Sequence, residues 1–488
     1  MSSGGFGGSG WRSPRPGAKP RLSQRGPGYD QRLARERETF AGQEEIHGNL
    51  PPSAHRWSNR HVRPKLEALG VPGLDELIVG QIAERAQGLS RDAVVLSLGS
   101  GNGDQELGWL RGLAGAGLDN VRLRLLELNP EMQARAEASA REQGVADRVE
   151  LITADFNTWR ADAEHDVVVG FQALHHVLDL EHLYGQIKGS LTGDGVLVVH
   201  DMIGRNGHRR WPEAHEVVDR IWATLPPELR RNALTGHVDE QFVDVDCAAD
   251  GFEGIRAQDV LPVLLDFLHP SLFLPYGNVI DPFVDRIYGH NFDMDDPAHV
   301  ALIDEIGVLD DSLLDLGLVT GTRLTALFHP SPQPLRVHGN RTPERSARDT
   351  RVVDPAGRVS FRPGGTNGER LVRGAGIVTG RLNGIAHDDW AAPSVEFPVL
   401  TTAPVDALDF RTYLPDDATE HGSVTVSVDG VPVAKADVGP GLTEQVLPVR
   451  LEAHRQVRLS FDADWSVTAG GDRRTLAYVL VGLGLLER

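Results

Sequence analysis

From Leu66 to Pro330, short apolar runs alternate with stretches in which apolar residues recur at helical spacing. Ala93–Leu98, Val121–Leu126, Val149–Thr153, Asp166–Gly170 and Gly195–His200 are rich in Val, Leu or Ile and read as strands. Between them, Glu131–Gln143 and Leu180–Leu191 carry helix formers at helical spacing. Nearly continuous apolar strands alternating with helices predict a parallel sheet covered on both faces. After Asp201 a long stretch rich in charge and aromatics interrupts the beat. It resumes with a helix at Ala257–Leu268, a strand at Leu272–Pro275 and a last strand at Thr322–Phe328.

Past Pro330 the texture changes. Residues 331–350 (Ser331-Pro332-Gln333-Pro334, then Arg341-Thr342-Pro343-Glu344-Arg345) are polar and proline-bearing, a linker composition. Beyond them, turn residues separate the alternating runs Val395–Leu400, Ala407–Tyr413, Val424–Val428, Val457–Phe461 and Leu476–Val481. That spacing predicts an antiparallel β-sandwich. At the other end, residues 1–28 are Gly, Ser, Pro and Arg with no acid and little to bury, so disorder is expected. Residues 30–47 read as a charged helix, ended by Asn49-Leu50-Pro51-Pro52. The expected order is a basic tail over 1–35, an α/β domain over 36–330, a linker over 331–350 and an all-β domain over 351–488.

Composition narrows the class. A chain of 488 residues is too long for one ordinary core, and its 40% hydrophobic and 24% charged content is that of a soluble globular protein. No apolar run is long enough to span a bilayer, and no secretory leader pattern opens the chain. Cys247 is the single cysteine, which fits a reducing cytoplasm and excludes an internal disulfide or a multi-cysteine zinc site. A formal charge of −20 argues against nucleic acid as the main partner.

The chemistry starts at Leu98-Gly99-Ser100-Gly101-Asn102-Gly103-Asp104, which follows a strand and precedes a helix expected at Asp104–Leu113. Three glycines let the backbone turn tightly and approach a ligand. Such loops also open nucleotide-binding and purely structural βα units. The second strand ends in Glu127, a carboxylate able to accept both ribose hydroxyls of a nucleoside. The third ends in Asp155-Phe156, an acid for an adenine amino group with a ring beside it. Either acid alone equally suits a helix cap or a turn. All three fall at the carboxyl ends of successive strands, where open α/β sheets bind ligands.

These residues resemble the class I S-adenosylmethionine-dependent methyltransferases, with Asp166-Val167-Val168-Val169-Gly170-Phe171-Gln172-Ala173-Leu174-His175-His176-Val177 similar to the family's fourth strand and Leu-His-His turn. Gly193 to Asp201 is similar to its glycine turn and fifth strand. The resemblance implies a Rossmann-like, doubly wound seven-stranded sheet with the last strand antiparallel, and S-adenosyl-L-methionine as cofactor. It implies that Gly99, Ser100, Gly101 and Gly103 pass under the methionyl-ribose part. Glu127 would hold the ribose, Asp155 and Phe156 the adenine, and Gln172 would sit near the sulfonium. Ser97 stands where the family often has an acid, so that carboxylate contact is not carried over. A nicotinamide dehydrogenase is the competing reading; the GxGxG spacing and the Leu-His-His turn speak against it.

Methyl transfer to a hydroxyl benefits from a general base. His175, His176, His200 and Asp201 are the candidates, with His176 favoured; each also suits a structural role at a strand end. Arg205, His208, Arg209 and Trp211 crowd the segment after Asp201 and suit an acceptor lid, through bidentate guanidinium contacts and ring stacking. Tyr276–Pro282 and Tyr288–Phe292 form a second such patch, and Asn49–Pro64 is placed either to close over the cofactor or to pack. The abundant His and Asp residues show no recognised ligand spacing, so no metal is expected. Finally, Gly384 to Pro393 and Asp472 to Leu480 resemble, more loosely, a β-sandwich appended to methyltransferases and glycosyltransferases of bacterial surface-polysaccharide systems. That implies a sugar, a glycan intermediate or another small hydroxylated acceptor, with polysaccharide-synthesis enzymes as partners. The alternative is a catalytically inactive, cofactor-binding scaffold for such a complex.

Overall fold

The computed structural model describes residues 27–41, 50–249, 251–349, 351–353, 359–360, 372–386, 389–416, 418–419, 421–467 and 475–487. Two compact units result, one centred on residues 33–351 and the other on the strands from residue 372 onward.

The first unit is built on a mixed sheet of β1 (Ala93–Leu98), β2 (Val121–Glu127), β3 (Val149–Thr153), β4 (His165–Phe171), β5 (Leu191–Met202), β6 (His269–Tyr276), β7 (Arg323–His329) and β8 (Arg336–Val337). Their spatial order is β3-β2-β1-β4-β5-β7-β6-β8. β1 to β5 are parallel, and β7 runs antiparallel to both β5 and β6. In β4, Val167, Val168 and Val169 are buried to 1% or less, as a central strand covered on both faces requires. Each such side chain contributes on the order of 1.5–3 kcal/mol by leaving water. Helices flank the sheet and begin where the sequence caps them. The Asn129 side chain accepts from the Glu131 N–H at 2.9 Å ahead of Pro130–Glu142, and Asp179 from the His182 N–H at 3.0 Å ahead of Leu180–Ser190. Arg256, with no exposed surface, donates to Glu181 at 2.6 and 2.9 Å and to Asp259 at 2.9 Å, pinning Ala257–Phe267 against Leu180–Ser190.

Two expectations change here. The sheet has eight strands, not seven, because the stretch read as a linker folds back on its edge. Arg336 donates to the Leu69 carbonyl at 2.7 Å, and buried Arg341 pairs with Asp311 and Asp315 at 3.0 and 2.7 Å, which lays β8 beside β6. The charged helix read over 30–47 appears as Pro27–Ala41, so residues 27–35 are helix rather than tail; residues 1–26 and 42–49 lie outside the described residues.

The second unit is all-β. Trp390–Thr401 pairs with both Gln456–Ala463 and Tyr478–Glu487, and the latter pairs with Val405–Leu414. Phe461 stacks on Phe397 at 5.8 Å and on Phe410 at 5.4 Å, so aromatic rings from different strands fill its core. His387, Asp388 and Asp472 to Arg474, part of the looser resemblance, lie outside the described residues.

Candidate active site

The carboxyl ends of β1 to β4 open on one pocket, whose wall includes Gly99, Gly101, Glu127, Asp155, Phe156 and Gln172. Gly99 has φ +66°, and a Cβ there would lie 2.9 Å from the Ala173 Cβ and 3.5 Å from the Phe156 ring. Only glycine keeps that backbone both left-handed and open to a ligand. Glu127 is fixed by its own strand tip: its oxygens accept from the Gly101 N–H at 3.0 Å and the Asn129 N–H at 2.9 Å. Burial raises its pKa despite those amides. Asp155 accepts from the Asn157 backbone and side-chain amides, both at 2.9 Å, and Asn157 Oδ1 in turn accepts from the Leu178 and Asp179 N–H groups. Thus the tip of β3 is tied to the turn beyond β4. Gln172 holds φ +50°, a sparsely populated conformation for a side-chain-bearing residue, with its N–H bonded to the His200 carbonyl at 2.8 Å.

A buried acid lies beside Ser97. Ser97 Oγ donates to Glu106 Oε1 at 2.6 Å, and Glu106 sits in the first turn of the helix Asp104–Gly115. Burial pushes its carboxyl up to about 7, the Ser97 hydroxyl pulling the other way.

A second cluster adjoins the pocket at the turn Leu174–His176. Asp201, with no exposed surface, accepts from the Ala173 and Leu174 N–H groups, both at 2.8 Å, and lies 2.6 Å from His175 Nδ1. Burial favours its neutral form, but His175 and these amides outweigh that and hold the carboxyl below its ordinary value. Burial opposes the charge on His175, yet Asp201 and Glu253 together raise its pKa. His176, on the pocket wall, places Nδ1 2.7 Å from Glu36 and Nε2 3.4 Å from Glu253 Oε2. His175 Nε2 lies 3.4 Å, and His208 Nε2 2.6 Å, from Glu253 Oε1. Three imidazoles therefore converge on one carboxylate. The loops meet through glycines: the Gly207 N–H donates to the Gly254 carbonyl at 2.8 Å, both residues having φ +68°.

Several expected roles are corrected. Asp201 does not face the pocket; its bonds fix the turn and orient His175. Gly103 lies off the pocket wall, and its missing Cβ admits Ala136 and Leu125, so it lets the helix Asp104–Gly115 pack closely. Ser100 is buried and also off the wall. Trp211 is 2% exposed beneath the guanidinium groups of Arg205 and Arg348, at 5.7 and 4.8 Å, which leaves no face for a sugar. Arg205 donates to the Arg210 carbonyl and Arg209 to the Asn206 carbonyl, so both brace their own loop. Of the four acceptor candidates only His208 reaches the cluster. His200 bonds to Thr325 Oγ1 at 3.0 Å and burial pushes it down to about 4, a neutral packing residue. Trp57 packs on Tyr276 with ring centroids 6.0 Å apart and His61 pairs with Asp311, so 50–64 builds core. The pocket is closed instead by Leu33, Glu36 and Arg37 of Pro27–Ala41 and by Phe252. Sequence reasoning missed these and Glu253, because no local pattern distinguishes them.

An open α/β sheet with carboxylates at the tips of its second and third strands is an arrangement suited to a nucleoside. Residues 95–195 match the family model described as a methyltransferase domain. Over that segment the chain is similar to a class I S-adenosylmethionine-dependent methyltransferase domain, whose cofactor is S-adenosylmethionine. The residues fit that group: two carboxylates, an aromatic ring and a strand-tip glycine whose Cβ would fill the cradle. Among solved structures, the chain is similar to a SAM-dependent methyltransferase from Geobacter sulfurreducens in complex with S-adenosyl-L-homocysteine, at 16% identity over 61% of this chain and 98% of that one, TM-score 0.30. It is similar to the O-methyltransferase from a trans-AT PKS multienzyme of Brevibacillus brevis, also in complex with S-adenosyl-L-homocysteine, at 14% identity over 58% and 80%, TM-score 0.30. It is likewise similar to the [4+2]-cyclase SpnF at 15% identity over 59% and 98%, TM-score 0.29. No curated protein matches the chain. No helix among the described residues is long and apolar enough to cross a membrane.

Proposed function

We propose that the α/β domain methylates a hydroxyl oxygen of a sugar, a glycan intermediate or another small hydroxylated acceptor. The observation that carries this reading is His176, which lines the pocket while Glu36 engages its Nδ1. Glu127 holds the ribose hydroxyls, Asp155 the adenine amino group with Phe156 beside the ring, and Gly99 and Gly101 pass beneath the cofactor. Gln172 stands at the mouth near the reacting centre. S-adenosylmethionine, when bound, would supply an electrophilic methyl group for the new C–O bond, with its sulfur as the leaving atom that keeps the electron pair. His176 takes the acceptor's hydroxyl proton, and the Glu36 carboxylate beside Nδ1 holds the ring in place. Alignment supplies most of the rate, and the proton acceptor about 10²–10⁴-fold. The sugar or glycan class is supported by the loose resemblance of the C-terminal region to polysaccharide-system proteins, whose synthesis enzymes are the proposed partners.

A screen of tritiated methyl transfer to sugar-nucleotide and glycan fractions tests the proposal. Label is expected in a hydroxyl-bearing fraction, and His176→Ala should cut transfer at least tenfold with S-adenosylhomocysteine still bound. Binding without label in any fraction, or full activity in the variant, would defeat it.

A further inference from the structure

We infer that His175, His208 and Glu253 form a binding site for one first-row divalent metal cation of the zinc type. Only the role of that cation, not its existence, rests on the methyl-transfer reading above. One ligand atom from each residue lies within 4.8 Å of the others, the one such group of three among the described residues. Two imidazole nitrogens and a carboxylate oxygen are the donor set that a borderline cation such as Zn(II) takes.

The surrounding contacts support a ligand role. Asp201 lies 2.6 Å from His175 Nδ1, so the Nδ1 proton is held there, and Nε2, which faces Glu253 at 3.4 Å, is the atom left to bind a cation in place of its proton. A carboxylate behind a metal-binding histidine does the same in known metal sites. Charge points the same way. Glu36, Asp201 and Glu253 bring three carboxylates to three imidazoles, and a divalent cation offsets part of that negative charge. Donors on a tetrahedral cation with bonds of about 2.1 Å lie roughly 3.4 Å apart. His175 Nε2 and Glu253 Oε1 are at 3.4 Å, whereas His208 Nε2 and Glu253 Oε1 are at 2.6 Å and must part on loading. That movement falls on the glycine-flanked loops, where Gly207 precedes His208 and Gly254 follows Glu253. Glu253 is 41% exposed, which gives the ion an approach.

The place is informative too. Phe252 and His176, next in sequence to two of the ligands, line the cofactor pocket. A cation held by three protein donors keeps a further position for an acceptor hydroxyl oxygen, whose proton it would make easier to remove. The acceptor class is then a hydroxyl compound able to ligate a metal through oxygen.

The test uses the full chain, stripped with chelator and titrated with Zn(II) by calorimetry and with Co(II) by visible absorption. One equivalent per chain is expected, with ligand-field bands of a nitrogen- and oxygen-bound Co(II). Glu253→Gln and His208→Ala should each weaken binding at least tenfold, and His269→Ala, at an exposed histidine elsewhere, should not. S-adenosylhomocysteine binding within about twofold of wild type certifies that a variant is folded; His208→Gln substitutes where His208→Ala fails that check. Absence of stoichiometric uptake by the stripped wild type, or wild-type uptake by the folded variants, would overturn the site. Failure of the wild type to bind S-adenosylhomocysteine would instead sink the methyltransferase reading and leave the cation result standing.

Discussion

Glu106→Gln converts the buried acid behind the glycine loop into its uncharged isostere. Glu106 is 5% exposed, and Ser97 donates to its Oε1 at 2.6 Å, a bond the amide oxygen of glutamine keeps. Burial, with smaller repulsion from Asp104 and Glu127, pushes the folded carboxyl from its ordinary 4.5 up to about 7. Between those values the folded chain binds more protons than the unfolded one, so wild-type stability falls as pH rises. The loss begins near the unfolded value and is complete above the folded one. A tenfold difference in proton affinity is worth about 1.4 kcal/mol, so from about pH 5.5 to about pH 8 this group alone removes about 2 kcal/mol. Glutamine cannot ionise. The stability of the variant relative to wild type should therefore rise by about 2 kcal/mol across that interval. Urea unfolding at the two pH values, followed by tryptophan fluorescence (Trp109 is buried on the same helix), measures it. A difference that stays constant with pH, or falls toward pH 8, refutes the reasoning.

Gly99→Ala forces a Cβ to 2.9 Å from Ala173 at φ +66°, and calorimetry should show S-adenosylhomocysteine affinity reduced at least tenfold; unchanged affinity would remove the loop from the cofactor site. Arg256→Met strands Glu181 and Asp259 around a vanished guanidinium, and denaturant unfolding should show a loss of about 3–5 kcal/mol. Phe461→Ala deletes the ring stacked between Phe397 and Phe410, and the all-β region should lose about 3–5 kcal/mol in the same assay.

The sheet was legible where burial on both faces leaves an unbroken apolar run. Ala93–Leu98 and Val149–Thr153 appear with the bounds the pattern predicts, and Val121–Leu126 is longer by one residue. The eighth strand was hidden because Arg336–Val337 is only two residues long and is held by the Arg336 bond to the Leu69 carbonyl and the Arg341 ion pairs rather than by an apolar run. In the pocket, Glu127, Asp155 and Phe156 were visible because each lies at or just past a strand end. Glu253 was invisible, since it meets His175 and His208 only through loop folding. Trp211 with Arg205 and Arg209 misled for a chemical reason: a guanidinium over an indole reads identically whether it grips a sugar or packs a loop.

The two halves of the site also differ in how far the chain must travel to build them. The cofactor side takes Gly99, Glu127 and Asp155 from the carboxyl ends of β1, β2 and β3, which are adjacent in the sheet, so it closes with the sheet itself. The histidine side joins Glu36, His175, His176, His208 and Glu253, and His176 lies far along the chain from both carboxylates it meets. Contacts of such separation are slow to form, and the loops that make them are among the first to open. The strand-tip half is thereby a property of the scaffold, and the histidine half an addition that loop changes can rewrite without disturbing it.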